Sequence, residues 1–168
     1  MTSPFAQLYN AVLLRLKEKA PLLKYIEQDF QQLENYKIRP AVAWPCALIE
    51  IDNFAFSDAG NDLKQMASGL LQVRIGQVAY SPSSGYGIQD VRDEALKFYE
   101  TEQQVYAALH GYNPPGFSKL LRRNTATEMR NDDMRVRVMR FEINFEDTTA
   151  APVRTKLNTP PPNIATKP

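Results

Sequence analysis

Met134–Glu146 reads MRVRVMRFEINFE, an alternation of apolar and polar residues that marks a half-buried strand. The alternation changes phase once. Val136 and Val138 fall on even positions, whereas Met139, Phe141, Ile143 and Phe145 fall on odd ones. A one-residue slip turns every later side chain to the opposite face of a sheet. The pattern predicts either a β-bulge near Val138–Met139 or a strand that serves two different packing layers. Upstream, LLQVRIGQVAY (Leu70–Tyr80) behaves alike: Leu71, Val73 and Ile75 share one parity, Val78 and Tyr80 the other. Gly76 sits at the change, where a bulge is expected. Two long strands with matching slips are expected to be neighbours that bend together.

Working outward, Leu120–Met129 reads as a strand, and Asn131-Asp132-Asp133 as the turn that joins it to the last strand in a hairpin. From Ile88 the apolar residues Val91, Ala95, Phe98, Tyr99, Val105, Tyr106 and Leu109 recur at helical spacing, and Gly111 with Pro114–Pro115 ends the helix. Near the N-terminus Phe5, Leu8, Tyr9, Val12, Leu13 and Leu16 form one apolar helical face; Ser3 suits the cap, Pro4 the first turn and Pro21 the stop. Residues 22–34 fit either a second helix along Leu22, Ile26, Phe30 and Leu33 or a short strand at Leu23–Ile26. Pro40 and Pro45 exclude regular helix before the strand-like CALIEI (Cys46–Ile51). Asp52–Gly69 is polar and carries the turn residues Asn53, Asp58, Gly60 and Asn61, so a long mobile loop is expected. Its Phe54 and Phe56 are candidate interface anchors, because aromatics in a polar loop are common hot spots.

The chain has 168 residues, enough for one domain with a core. It divides into one compact α/β domain over residues 1–147 and a Pro/Thr-rich arm over residues 148–168, too poor in apolar residues to build a core. Pro152 and Pro160–Pro162 favour an extended arm, with Val153, Leu157 and Ile164 as its anchors on another chain. A net charge of +1 gives no overall pull toward nucleic acid. No apolar run approaches the length of a membrane span, and the N-terminus has no secretory pattern. One cysteine, Cys46, forms no internal disulfide and fits a reducing compartment.

Little here promises catalysis. The one histidine, His110, stands at the end of a helix, where capping of carbonyls is the ordinary role. One His and one Cys do not assemble a zinc site. Asn131–Asp133 lacks the spacing of a calcium loop. No Gly-rich phosphate loop is present. No catalytic, cofactor-binding or metal-ligating residues are assigned, and no cofactor is expected. The cationic hairpin is the remaining candidate, with Lys119, Arg122, Arg123, Arg130, Arg135, Arg137 and Arg140 close in sequence. It fits phosphate contacts or, better with the near-zero net charge, a strand face that pairs with carboxylates of another subunit. Arg122, Arg123, Arg130, Arg135 and Arg137 are the candidates for such lumen or inter-subunit charge.

In IRPAVAWPCALIEI, SGLLQVRIG, DEALKFYETEQQVYAALHG and RRNTATEMRNDDMRVRVMRFEINFED the sequence resembles the tail terminator, or tail completion, proteins of long-tailed bacteriophages and related prophages. The resemblance covers Phe5 to Asp147 and leaves the arm outside. It implies an α/β sandwich of the α+β kind: a mixed, mostly antiparallel sheet of four or five strands with two helices on one face. It also implies a homo-hexameric ring in the virion, assembled in the host cytoplasm. Such a ring caps the tail tube and joins it to the head connector, while DNA passes through the lumen without sequence recognition. Tail tube and connector proteins are the implied partners; no membrane is involved. The alternatives are another head–tail connector or adaptor ring and, from a different class, a small ligand-binding regulatory α/β domain.

Overall fold

The computed structural model describes residues 3–34, 42–60, 63–78 and 83–151. Its elements run α1 (Pro4–Lys19), β1 (Tyr25–Gln28), β2 (Cys46–Asp58), β3 (Gln65–Val78), α2 (Gln89–Leu109), β4 (Leu121–Thr127) and β5 (Met134–Asp147). The strands form one five-stranded mixed sheet in the order β1-β2-β3-β5-β4. Only β1 pairs in parallel, with β2; the other neighbours are antiparallel. Both helices lie on one face, so the α+β architecture is as expected. Leu8, Val12 and Leu16 of α1 and Phe98, Val105 and Leu109 of α2 are buried in one core with the odd-numbered Ile49, Leu71, Val73, Ile75, Met139, Phe141 and Ile143.

The phase change in β5 is resolved without a bulge. β3 and β5 pair in unbroken register from Gln65↔Asp147 to Val78↔Met134, so neither Val138–Met139 nor Gly76 absorbs an extra residue. β5 instead serves two layers. At its start Met134 and Val136 face away from the helices, into a satellite core with Leu33, Val42, Cys46 and Leu48. On the helix side, Arg135 and Arg137 there lie against α2, and from Met139 onward the main core takes over. Gly76 is small for packing reasons: a Cβ would meet the Cys46 sulfur at 2.9 Å and the Trp44 ring at 3.0 Å. Trp44–Pro45 is a cis peptide.

The expected long loop over Asp52–Gly69 is mostly strand. β2 and β3 form a hairpin that continues to Asp58↔Gln65. Polar composition misled because this end of the hairpin is largely exposed, and an exposed strand has no reason to be apolar. Within this hairpin a bulge does occur, between Asp52 and Ala55 of β2. There Asn53 adopts φ 52°, and Phe54 swings over Gly69, leaving less than 3 Å for a Cβ on that glycine. Phe54 thereby joins a cluster with Phe5 and Phe145 at centroid distances of 5.3–5.8 Å. Residues 22–34, open between helix and strand, contain the strand β1, followed by turns. Ser3 precedes α1, but its side chain makes no capping hydrogen bond.

Candidate functional site

The reactive side chains are held in structural roles. His110 follows α2, stacks on Tyr106 and accepts a hydrogen bond at Nδ1 from the backbone N–H of Arg122. It thus ties the helix end to β4 instead of capping carbonyls. Burial pushes the Cys46 thiol up to about 12, which removes thiolate character at neutral pH. Asp132 in the β4–β5 link pairs with Arg130 and accepts from the N–H of Met134, as a turn residue does. Among the described residues no group of acidic, His and Cys side chains has the arrangement of a metal site.

The candidate arginines are engaged within the chain. Arg122 lies over the Tyr106 ring at 3.7 Å. Arg123 donates to Glu142 at 2.6 Å, and Arg135 covers Phe98 and Tyr99, each at 4.4 Å. Arg137 bridges Glu102 and Thr127. Arg130 reaches Asp132, Glu128 and the carbonyl of Leu33. Their stems and charges hold β4 and β5 to α2 and to the satellite core. Of the candidate anchors, Phe54 is packed in its own domain, whereas Phe56 near the hairpin tip stays exposed. Val153, Leu157 and Ile164 lie outside the described residues.

A residue that sequence inspection passed over organises the face away from the helices. Arg74 on β3 is 7% exposed. It donates in bidentate fashion to Glu128 at 2.6 and 2.8 Å, to Asp29 at 2.9 Å and to Glu34 at 2.5 Å. Burial opposes its charge, yet these carboxylates hold its pKa above the ordinary value. Desolvation of Glu34 is likewise outweighed, by its bond to Arg74, and its pKa falls. Arg74 floors an open cleft of about 690 Å³ whose other charged lining residues are Asp29, Glu34, Glu50 and Glu128. Arg130 also pairs with Glu34 and Glu128, so Glu50 is the cleft carboxylate that no described cation pairs with. Glu50 accepts from the Gln72 amide at 2.7 Å. Burial, then repulsion from Asp29 and Asp52, raises its pKa.

Two further surfaces are open. β1 covers the outer edge of β2 only from Cys46 to Ile49, and the last backbone contact is Asp29 N–H to Ile49 carbonyl at 2.9 Å. Among the described residues, none pairs with that edge beyond it. On the helix side the free edge borders an apolar cleft of about 530 Å³ lined by Phe5, Tyr9, Ile49, Ile51 and Phe54. The second surface is the first half of α2. Its buried residues begin at Phe98, while Ile88 just before it, Val91 and Tyr99 form an exposed apolar stripe. Their spacing puts all three along one side of the helix.

No family model matches the sequence, and no curated protein matches it. Among solved structures, a chain in the virion of a native gene transfer agent (GTA) particle is similar in fold. The TM-score is 0.57 at 13% sequence identity, with 88% of this chain and 100% of that chain covered. The shared feature is the fold of the whole domain.

Proposed function

We propose that this protein is a structural component of a phage-like virion: a ring subunit that caps the tail tube and joins it to the head connector. The observation that carries the proposal is the fold likeness to a chain of a gene transfer agent virion, which extends over all of that chain. The likeness of the sequence motifs to tail terminator proteins supports the finer role. So do the open surfaces: a strand edge that no described residue pairs and an exposed apolar stripe on a helix are what a subunit offers its neighbours. In this reading the protein acts by assembly and performs no reaction. Six copies close a ring, and DNA passes through it.

The test is loss of the protein from assembling particles. A terminator ring stops tube growth, so its absence gives tails of uncontrolled length. An adaptor ring only joins finished parts, so its absence gives tails of normal length beside unattached heads. Electron microscopy of such particles, and of the purified protein with and without tail tubes, separates the two. Normal, joined particles in its absence would overturn both.

A further inference from the structure

We propose that the free edge of β2 is completed by the C-terminal arm of a second copy of this chain, with Val153–Leu157 added as an edge strand. The proposal rests on the ring reading only in requiring that copies of the chain meet.

Among the described residues none pairs with the edge from Glu50 onward, and its two sides differ in chemistry. A strand laid there sends alternate side chains to opposite faces of the sheet. One set enters the apolar cleft between Tyr9, Ile51 and Phe54. The other set enters the opposite cleft at Glu50, the lining carboxylate that no described cation pairs with. An occupant must therefore alternate apolar with cationic residues. The arm does so: Val153, Thr155 and Leu157 share one parity, and Arg154 and Lys156 share the other. The arm beyond Ala151 contains three cations, with Lys167 the third, and no acidic residue. Pro152 and Pro160 bound the segment, placing prolines outside the pairing stretch where a missing N–H does no harm. Glu50, whose bond is to an amide, gains a cationic partner in this arrangement.

Reach favours a neighbour's arm over the chain's own. β5 ends at Asp147, opposite Gln65 and Asp58 at the hairpin tip. From there to a strand position beside Asp52 is about 22 Å, taking strand rise and spacing together. The turn closed by the Ala151 N–H to the Thr148 carbonyl keeps those residues within about 7 Å. The stretch from Ala151 to Arg154, the residue that stands beside Asp52 when Lys156 faces Glu50, adds about 10 Å. A chain's own arm arrives only if every link points straight at the groove, whereas a neighbour's arm has no such restriction.

Cysteine pairing in the full chain tests this. Chains carrying Glu50→Cys are mixed with chains carrying Lys156→Cys and oxidised; a disulfide-linked dimer is expected, and neither variant alone should give it in comparable yield. The double variant should give a ladder of linked chains. A double variant that closes only onto itself assigns the groove to the chain's own arm and overturns the second copy as occupant. Intact rings without cross-links overturn the strand addition while leaving the ring standing. Cross-linked chains that form no ring do the reverse. Charge exchange gives an independent check: Glu50→Lys should weaken self-association about tenfold or more, and Lys156→Glu in the same chain should restore it. Failure of that rescue, with both variants folded, counts against the proposal.

Discussion

Arg74 shows how one residue fixes a surface. Its guanidinium answers three carboxylates, of which Asp29 is nearly buried while Glu34 and Glu128 still meet water. Arg74→Met removes the charge but keeps an apolar stem, leaving the nearly buried Asp29 without its arginine partner. Loss of one partner from a buried pair costs about 3–5 kcal/mol, and the exposed partners put this case near the lower figure. Urea unfolding should show that drop. Lys97→Ala, which breaks an exposed pair with Glu94, should leave the midpoint where it is. Glu50 behaves in the opposite sense. Its folded pKa lies above the ordinary 4.5, so the fold prefers it protonated. The penalty is therefore present at neutral pH and vanishes below about pH 4, where folded and unfolded chains both hold the proton. Glu50→Gln should raise the melting temperature of the unassembled chain at pH 7 and leave it unchanged at pH 3. A fall at pH 7 would show that the carboxylate is stabilising.

At the scale of elements, α2 divides into a packed half and an open half. From Phe98 onward it contributes Phe98, Val105 and Leu109 to the core. Before Phe98, the side chains of Val91 and Leu96 stay exposed. A helix of 21 residues is about 31 Å long, so roughly a dozen ångströms stand beyond the core. Val91→Asp should fold with an unchanged thermal midpoint, because little is lost from the core, yet reduce self-association seen by sedimentation. A large drop in thermal stability would mean that this half-helix is packed in the free chain. Phe98→Ala sets the contrast, since removing a buried aromatic costs about 3–5 kcal/mol. The β2–β3 hairpin is the second such element. Its regular pairing replaces the mobile loop expected over Asn53–Ser68, so its ladder amides should exchange slowly even before assembly.

For the whole molecule, the described residues that build the two cores lie within positions 8–143. Truncation after Ala151 should leave the unfolding midpoint of the domain in place and weaken assembly. A truncated chain that unfolds would mean that the arm completes its own domain. One that assembles as well as the full chain would remove the arm from the interface.

The sequence by itself determined the helices, the final hairpin and the pairing of two long strands, because apolar spacing reports directly which side chains must leave water. It also determined the class, an α+β domain, and the alternation of Val153–Leu157, which is a property of order alone. Tertiary structure decided what lies on the other side of each face. The phase change in β5 reads as a bulge until Leu33 and Val42 are seen covering one end of the sheet, and Asp52–Gly69 reads as a loop because exposed strands need no apolar code. Arg74 was invisible as a single charge within VRIG, since its carboxylates come from positions 29, 34 and 128. The free edge of β2 was hidden for the same reason. An edge is defined by which neighbour is absent, and only the fold, where β1 stops at Gln28, determines that.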